Sequence, residues 1–129
     1  MMFTPWLWSS KMNNYHKGRL AEFLARLYMI LHGYCIIERN YVIGRGTTAG
    51  EIDFIARKGK NIVFVEVKQR QTLDFAAYAI TYKQQQRLIR GAECFIKNNP
   101  QYQGFDFRFD AVLIALPWRI RYIKNAWHS

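Results

Sequence analysis

Between Tyr15 and His32, Leu20, Phe23, Leu24, Leu27, Tyr28 and Leu31 recur at helical spacing, and Gly33 follows. The spacing predicts an amphipathic helix with those residues as its apolar stripe and a glycine stop. Glu22 then falls on the opposite side, within reach of an i,i+4 pair with Arg26. Tyr34 to Val42 alternates loosely, as a first strand does. Two apolar arms come next, Gly50-Glu51-Ile52-Asp53-Phe54-Ile55-Ala56 and Asn61-Ile62-Val63-Phe64-Val65-Glu66-Val67-Lys68. The polar Arg57-Lys58-Gly59-Lys60 between them makes this a hairpin. Gly44 to Gly50 reads as a mobile connection and Gln69 to Ala79 as irregular chain. Tyr82 to Asn98 is helical, with Leu88, Ala92, Phe95 and Ile96 on its buried face and Asn99-Pro100 as its stop. Phe107 to Leu116 and Arg119 to Lys124 are two further strands around Pro117-Trp118. Helix, three strands, helix, two strands predicts an α/β domain: one mixed central sheet of about five strands flanked by helices.

The hairpin carries the candidate chemistry. Gly59 suits the first central position of a two-residue turn closed by Lys58 and Asn61. Counting outward from that closure sets Asp53 opposite Glu66, with Cβ atoms roughly 5 Å apart. Lys68 points to the same face, two residues further on. Two carboxylates that close repel unless a cation lies between them, and a hard divalent ion such as Mg²⁺ or Mn²⁺ suits oxygen ligands. Asp53 and Glu66 holding such an ion, with Lys68 beside them, is the donor set of a metal-dependent phosphodiesterase. The same residues also read as a strand pair ending in solvated charge, with Glu51 opposite Lys68 as a surface ion pair.

Charge narrows the partners. The 129 residues carry 19 Lys and Arg against 9 Asp and Glu, a formal net charge of +10, which favours a polyanion and, with abundant aromatic residues, nucleic acid. Lys83, Arg87, Arg90 and Lys97 repeat along one side of the second helix and form a candidate phosphate-contacting stripe, the plain alternative being an ordinary solvated face. Cys35 and Cys94 lie far apart, with neither zinc-ligand spacing nor a disulfide framework, so a reduced, cytoplasmic setting is expected. His16, His32 and His128 are scattered, which suits solvated or capping roles. Asp110, following Arg108, reads as half of a structural ion pair, with a third metal ligand as the other option. No stretch approaches the ~20 apolar residues of a membrane span, and no membrane partner is expected. Residues 1–14, with Trp6 and Trp8, read as a flexible extension, and residues 15–129 as one domain.

The residues Gly18, Glu22, Ala25, His32-Gly33-Tyr34, Glu38-Arg39-Asn40-Tyr41, Gly50-Glu51-Ile52-Asp53-Phe54-Ile55, Phe64-Val65-Glu66-Val67-Lys68-Gln69-Arg70, Lys83, Arg108-Phe109-Asp110 and Asn125-Ala126 resemble the YraN family of uncharacterised bacterial proteins. The match runs in order from Tyr15 to the C-terminus. That family is similar to Holliday-junction resolvases of the PD-(D/E)XK restriction-endonuclease-like superfamily. The resemblance implies a single restriction-endonuclease-like domain whose site is Asp53, Glu66 and Lys68. It also implies that Glu22, at the place of a first-helix glutamate in the resolvases, takes part. Ala21 stands where relatives usually have Gly. Expected from all this is a Mg²⁺-dependent endonuclease acting on DNA, branched or structured DNA among its substrates, with a homodimer as the resolvase-like assembly. Two other readings fit the same residues: a nucleic-acid-binding protein of this fold without turnover, and a basic protein-interaction adaptor. Fold alone does not choose among them.

Overall fold

The computed structural model describes residues 14–43, 50–70, 80–115 and 119–127. Helix α1 (Asn14–Leu31) is followed by strands β1 (Cys35–Ile43), β2 (Gly50–Lys58) and β3 (Asn61–Arg70), then helix α2 (Tyr82–Asn98), a short 3-10 turn (Pro100–Tyr102), and strands β4 (Asp106–Ala115) and β5 (Arg119–Trp127). The five strands form one mixed sheet in the order β1-β2-β3-β4-β5. All neighbours are antiparallel except β3 and β4, which run parallel because α2 carries the chain back between them. The expected α/β architecture is therefore the observed one, with strand β3 reaching Arg70, two residues beyond its expected end. The extension proposed for residues 1–14 falls, up to residue 13, outside the described residues. So do 44–49, most of the irregular segment before α2, and the Pro117-Trp118 connection.

Alternation along β3 divides the core between two faces. Ile62 and Phe64 join Ile52, Ile55, Phe109, Ala111 and Leu113 under Leu88, Ala92 and Phe95 of α2. Val63, Val65 and Val67 point the other way, with Phe54, Ala56, Val112 and Ile114, and pack on Ala21, Ala25 and Met29 of α1. A sheet buried on both faces requires this near-continuous apolar sequence in its central strands. At the end of α1, Gly33 N–H donates to the Ile30 carbonyl and Tyr34 N–H to that of Met29, a Schellman stop. His32 Nδ1 lies 2.8 Å from the Tyr28 carbonyl oxygen, in keeping with the capping role expected of it.

The buried stripe of α1 corrects the sequence expectation. Ala21, Ala25 and Met29 are the residues pressed on the sheet, with Leu24 and Tyr28 at their flanks. Phe23 and Leu31 of the expected stripe are 54% and 75% exposed, and Leu27 and Ile30 are also exposed. Alanines bring a helix backbone close to a valine-covered sheet, and close packing outweighs the larger transfer free energy of the bulkier side chains. The helix is thereby rotated, and Glu22 moves from the far side to the margin of the buried face.

Candidate active site

The hairpin register is the expected one over the turn. Lys58 pairs with Asn61, and the ladder runs without a shift to Phe54↔Val65, with Gly59 at φ 61° in the turn. There the ladder ends, one step short of Asp53 and Glu66. The two strands part, and the Asp53 carboxylate fills the gap by accepting the Val67 backbone N–H at 2.8 Å. Alternation slips at the same place, since Ile52 and Ile55 both lie in the core beneath α2. Asp53 and Glu66 therefore meet across an opening in the sheet, and not as a ladder pair.

The two carboxyl groups are within hydrogen-bonding reach of each other. Burial, and next the neighbouring Glu66 charge, hold Asp53 well above the usual carboxylate range, against the pull of the Val67 N–H. Glu66 is raised less. Burial pushes it up, while Lys68 and the hydrogen bond from Asp53 draw it down. Burial disfavours the charged form of both groups. Lys68 Nζ stands 3.6 Å from Glu66 Oε1, as the two-residue spacing predicts. The ion pair that Lys68 makes is this one and not the Glu51–Lys68 pair of the alternative reading.

These groups open into a cavity of about 310 Å³ lined by Glu51, Asp53, Glu66, Val67, Lys68, Gln84, Arg87 and Leu88. Glu22 is not part of the lining, yet it stands close enough to respond. Its pKa is raised by burial and then by the charge of Asp53, with Arg26 the largest opposing influence. Asp53, Glu66 and Lys68 thus share the cavity, with Glu22 outside its lining but within electrostatic range of Asp53. The basic stripe is divided. Lys83 and Lys97 are exposed, whereas Arg87 and Arg90 are half-buried, and Arg87 belongs to the carboxylate cavity. Sequence reasoning missed Glu51 and Gln84. Gln84 had a readable signal, because Thr81 and Gln84 form a capping box at the start of α2.

Asp110 lies elsewhere, on the α1 side of the sheet. It is 0% exposed and takes two hydrogen bonds from Arg108, at 2.8 and 2.9 Å. It accepts two more, from the Tyr122 hydroxyl and from Asn125 N–H. Asn125 reaches it from an irregular stretch of β5 at φ 53°. It is the structural ion pair expected, and the third-ligand option falls away, since its carboxylate is fully engaged.

Among the described residues no three Asp, Glu, His or Cys side chains converge closely enough to hold a metal ion by themselves. Two carboxylates with water and a substrate oxygen are nonetheless an ordinary donor set for Mg²⁺. Asp53 and Glu66, partly buried beside each other in the cavity wall, fit such an ion. No helix among the described residues is long and apolar enough to cross a membrane.

Fold and cavity together define an α/β domain built around an acidic cleft that also bears lysine and arginine. The chain belongs to the uncharacterised protein family UPF0102, whose profile matches residues 21–114, the family to which the resemblance to YraN proteins points. It is 46% identical over 112 residues to the UPF0102 protein of Paramagnetospirillum magneticum, covering 86% of each chain. It is 48% identical over 116 residues to that of Nitrobacter winogradskyi, covering 89% of this chain and 94% of the relative. A Rhodopseudomonas palustris relative is 46% identical over 101 residues, 78% of this chain and 76% of its own length.

Proposed function

We propose that the chain is a Mg²⁺- or Mn²⁺-dependent endonuclease acting on DNA, with branched or structured DNA among its substrates, and a member of the PD-(D/E)XK superfamily. The carrying observation is the Asp53–Glu66 pair, two neighbouring carboxyl groups in the wall of a cavity that also holds Lys68. A structural carboxylate would be satisfied by fixed partners, as Asp110 is. Asp53 and Glu66 would hold the ion, which supplies positive charge where the phosphate gains negative charge. Lys68, on the same wall, donates to the non-bridging oxygens or orients the attacking water. Glu22 acts from the margin by holding a water beside Asp53. The net charge of +10 draws a polyanion to the surface, and exposed Lys83 and Lys97 offer it contacts along α2.

The test is a panel of labelled duplex, flap, four-way-junction and RNA substrates with Mg²⁺ or Mn²⁺. Nicking of DNA is expected, reduced about a hundredfold or more in Lys68→Ala and abolished in Asp53→Ala and Glu66→Ala, with retention of DNA unchanged. Salt-sensitive retention without nicking on any substrate would support the reading as a binding protein. Loss of both would leave the adaptor reading.

A further inference from the structure

The helix-facing wall of the cavity carries more than the strand motifs account for. Gly50, at the start of β2, meets α2 so closely that a Cβ there would lie 2.7 Å from Gly91 N and 3.0 Å from the Arg87 carbonyl oxygen. A Cβ on Gly91 would in turn meet the Ile52 side chain at 3.1 Å. These two glycines set helix against strand at backbone contact, and the Arg87 carbonyl oxygen is one of the atoms at that contact. The position of Arg87 is therefore fixed relative to Asp53, three residues along β2 from Gly50. Arg87 lines the cavity together with the two carboxylates and Gln84. The Gln84 Oε1 accepts the Thr81 N–H at 3.1 Å, which fixes the amide and leaves its NH₂ as the donor end.

We propose that Arg87 is the phosphate anchor of this site: its guanidinium takes the non-bridging oxygens of the phosphodiester lying between α2 and the Asp53–Glu66 pair. The inference rests on the endonuclease reading and assigns Arg87 to the phosphate at the metal, not to a row of distant backbone contacts along α2. Three observations converge on it. Two carboxylates leave most of a hard ion's six or more oxygen positions to other donors, and no third acidic, His or Cys ligand joins them among the described residues. A phosphate oxygen is the donor a nuclease substrate brings. The planar fork of an arginine matches two phosphate oxygens at once, which a lysine cannot do. The glycine contact holds the Arg87 backbone beside the carboxylate cavity before substrate arrives.

The experiment separates phosphate from metal and needs no cleavage. Mn²⁺ binding is followed by electron paramagnetic resonance, and inorganic phosphate by the Mn²⁺-induced broadening of its phosphorus NMR line. Wild type is expected to bind Mn²⁺ and to bring phosphate to it. Arg87→Ala should keep Mn²⁺ and weaken phosphate about tenfold or more, and Arg87→Lys should restore part of the loss. Were Arg87 only a structural counter-charge to the carboxylates, Arg87→Ala would bind Mn²⁺ more tightly and leave phosphate affinity unchanged, and that result would overturn the proposal. Wild type that binds no Mn²⁺ would overturn it as well, together with the metal site. Failure of the endonuclease reading shows separately, as absence of nicking in a protein that still gathers Mn²⁺ and phosphate.

Discussion

The sheet buries carboxylates in two places, and they are treated in opposite ways. Asp110 has a bidentate arginine, a tyrosine hydroxyl and a backbone N–H, and the arginine is itself tied to the Tyr34 hydroxyl at 2.7 Å. Every acceptor position has a fixed donor, and the Asp110 hydrogen bonds raise the Arg108 pKa still further above its ordinary value. Among the described residues, Asp53 and Glu66 take one backbone N–H, from Val67, and one lysine stands by Glu66, while both feel the added charge of Glu51. The first arrangement is complete without a ligand. The second is left short of positive charge in a cavity open to solvent, which is how a site that takes a cation differs from an ion pair that holds a fold.

The largest expected effect breaks the complete network. Asp110→Ala leaves the Arg108 guanidinium and the Tyr122 hydroxyl without their acceptor, and removing one partner of a buried pair costs about 3–5 kcal/mol. The midpoint of urea unfolding should fall accordingly with little change in slope. A loss below about 1 kcal/mol would mean that the pair behaves as a surface bridge, and the contrast between the two carboxylate sites would lose its structural half.

Next in size is the response of the other site to metal. An ion that binds only the folded state stabilises it by about 2.7 kcal/mol at a hundredfold excess over Kd. Mn²⁺ should raise the melting temperature of wild type and of Asp110→Asn alike, and do little for Glu66→Gln or Asp53→Asn. Equal stabilisation of all four would place the ion somewhere other than between Asp53 and Glu66.

Much of this contrast was legible in the sequence, because strand pairing is a counting problem. Once Gly59 closes the turn, the residue numbers bring Asp53, Glu66 and Lys68 together, and the ladder confirms the count up to Phe54↔Val65. The break beyond it was not legible, because it depends on Asp53 taking the Val67 N–H in place of a ladder partner. The α1 face was misread for a different reason. Hydrophobic spacing gives weight to large side chains, while a close helix–sheet contact selects small ones, and Ala21 and Ala25 carry little signal. Arg87 was placed on a stripe of α2 with Lys83, Arg90 and Lys97, and its place in the lining of the carboxylate cavity was not foreseen. Its position depends on Gly50 meeting Gly91, a contact between residues about forty positions apart that no local pattern encodes.

That glycine contact offers a way to sharpen the comparison. Gly50→Ala forces a methyl group against backbone atoms of α2, an overpacking expected to cost about 1–3 kcal/mol. Backbone cannot rotate aside as a flexible side chain can, so α2 should move outward. Asp53 and Glu66 are held by the strands and should keep their Mn²⁺ affinity, while phosphate held at the ion weakens as Arg87 withdraws. Calorimetric titration with Mn²⁺ and then phosphate resolves the two. Parallel loss of both would show that the strand opening itself depends on α2.

The smallest effect concerns the charge stored in the metal-free site. Asp53 has a folded-state pKa raised by burial and then by Glu66, so between its unfolded value, about 3.9, and its folded value the native protein binds more protons than the unfolded chain. Stability from this group is therefore fully present below the unfolded value and is lost as pH rises through the folded one. In chelator, the melting temperature of wild type should fall relative to that of Asp53→Asn as pH is raised, since asparagine can still accept the Val67 N–H and carries no charge. For the same reason Glu66→Gln should melt at or above wild type at neutral pH. The gain should be modest, on the order of 1 kcal/mol or less, because Lys68 beside Glu66 offsets part of the repulsion. Asp110→Asn makes the opposite comparison, because there the substitution removes a satisfied charge and can only destabilise. A wild-type curve that rises against Asp53→Asn with increasing pH would mean that Asp53 is stabilised as a carboxylate in the folded protein. It would then be a second Asp110, and the cavity would have no unmet need for a cation.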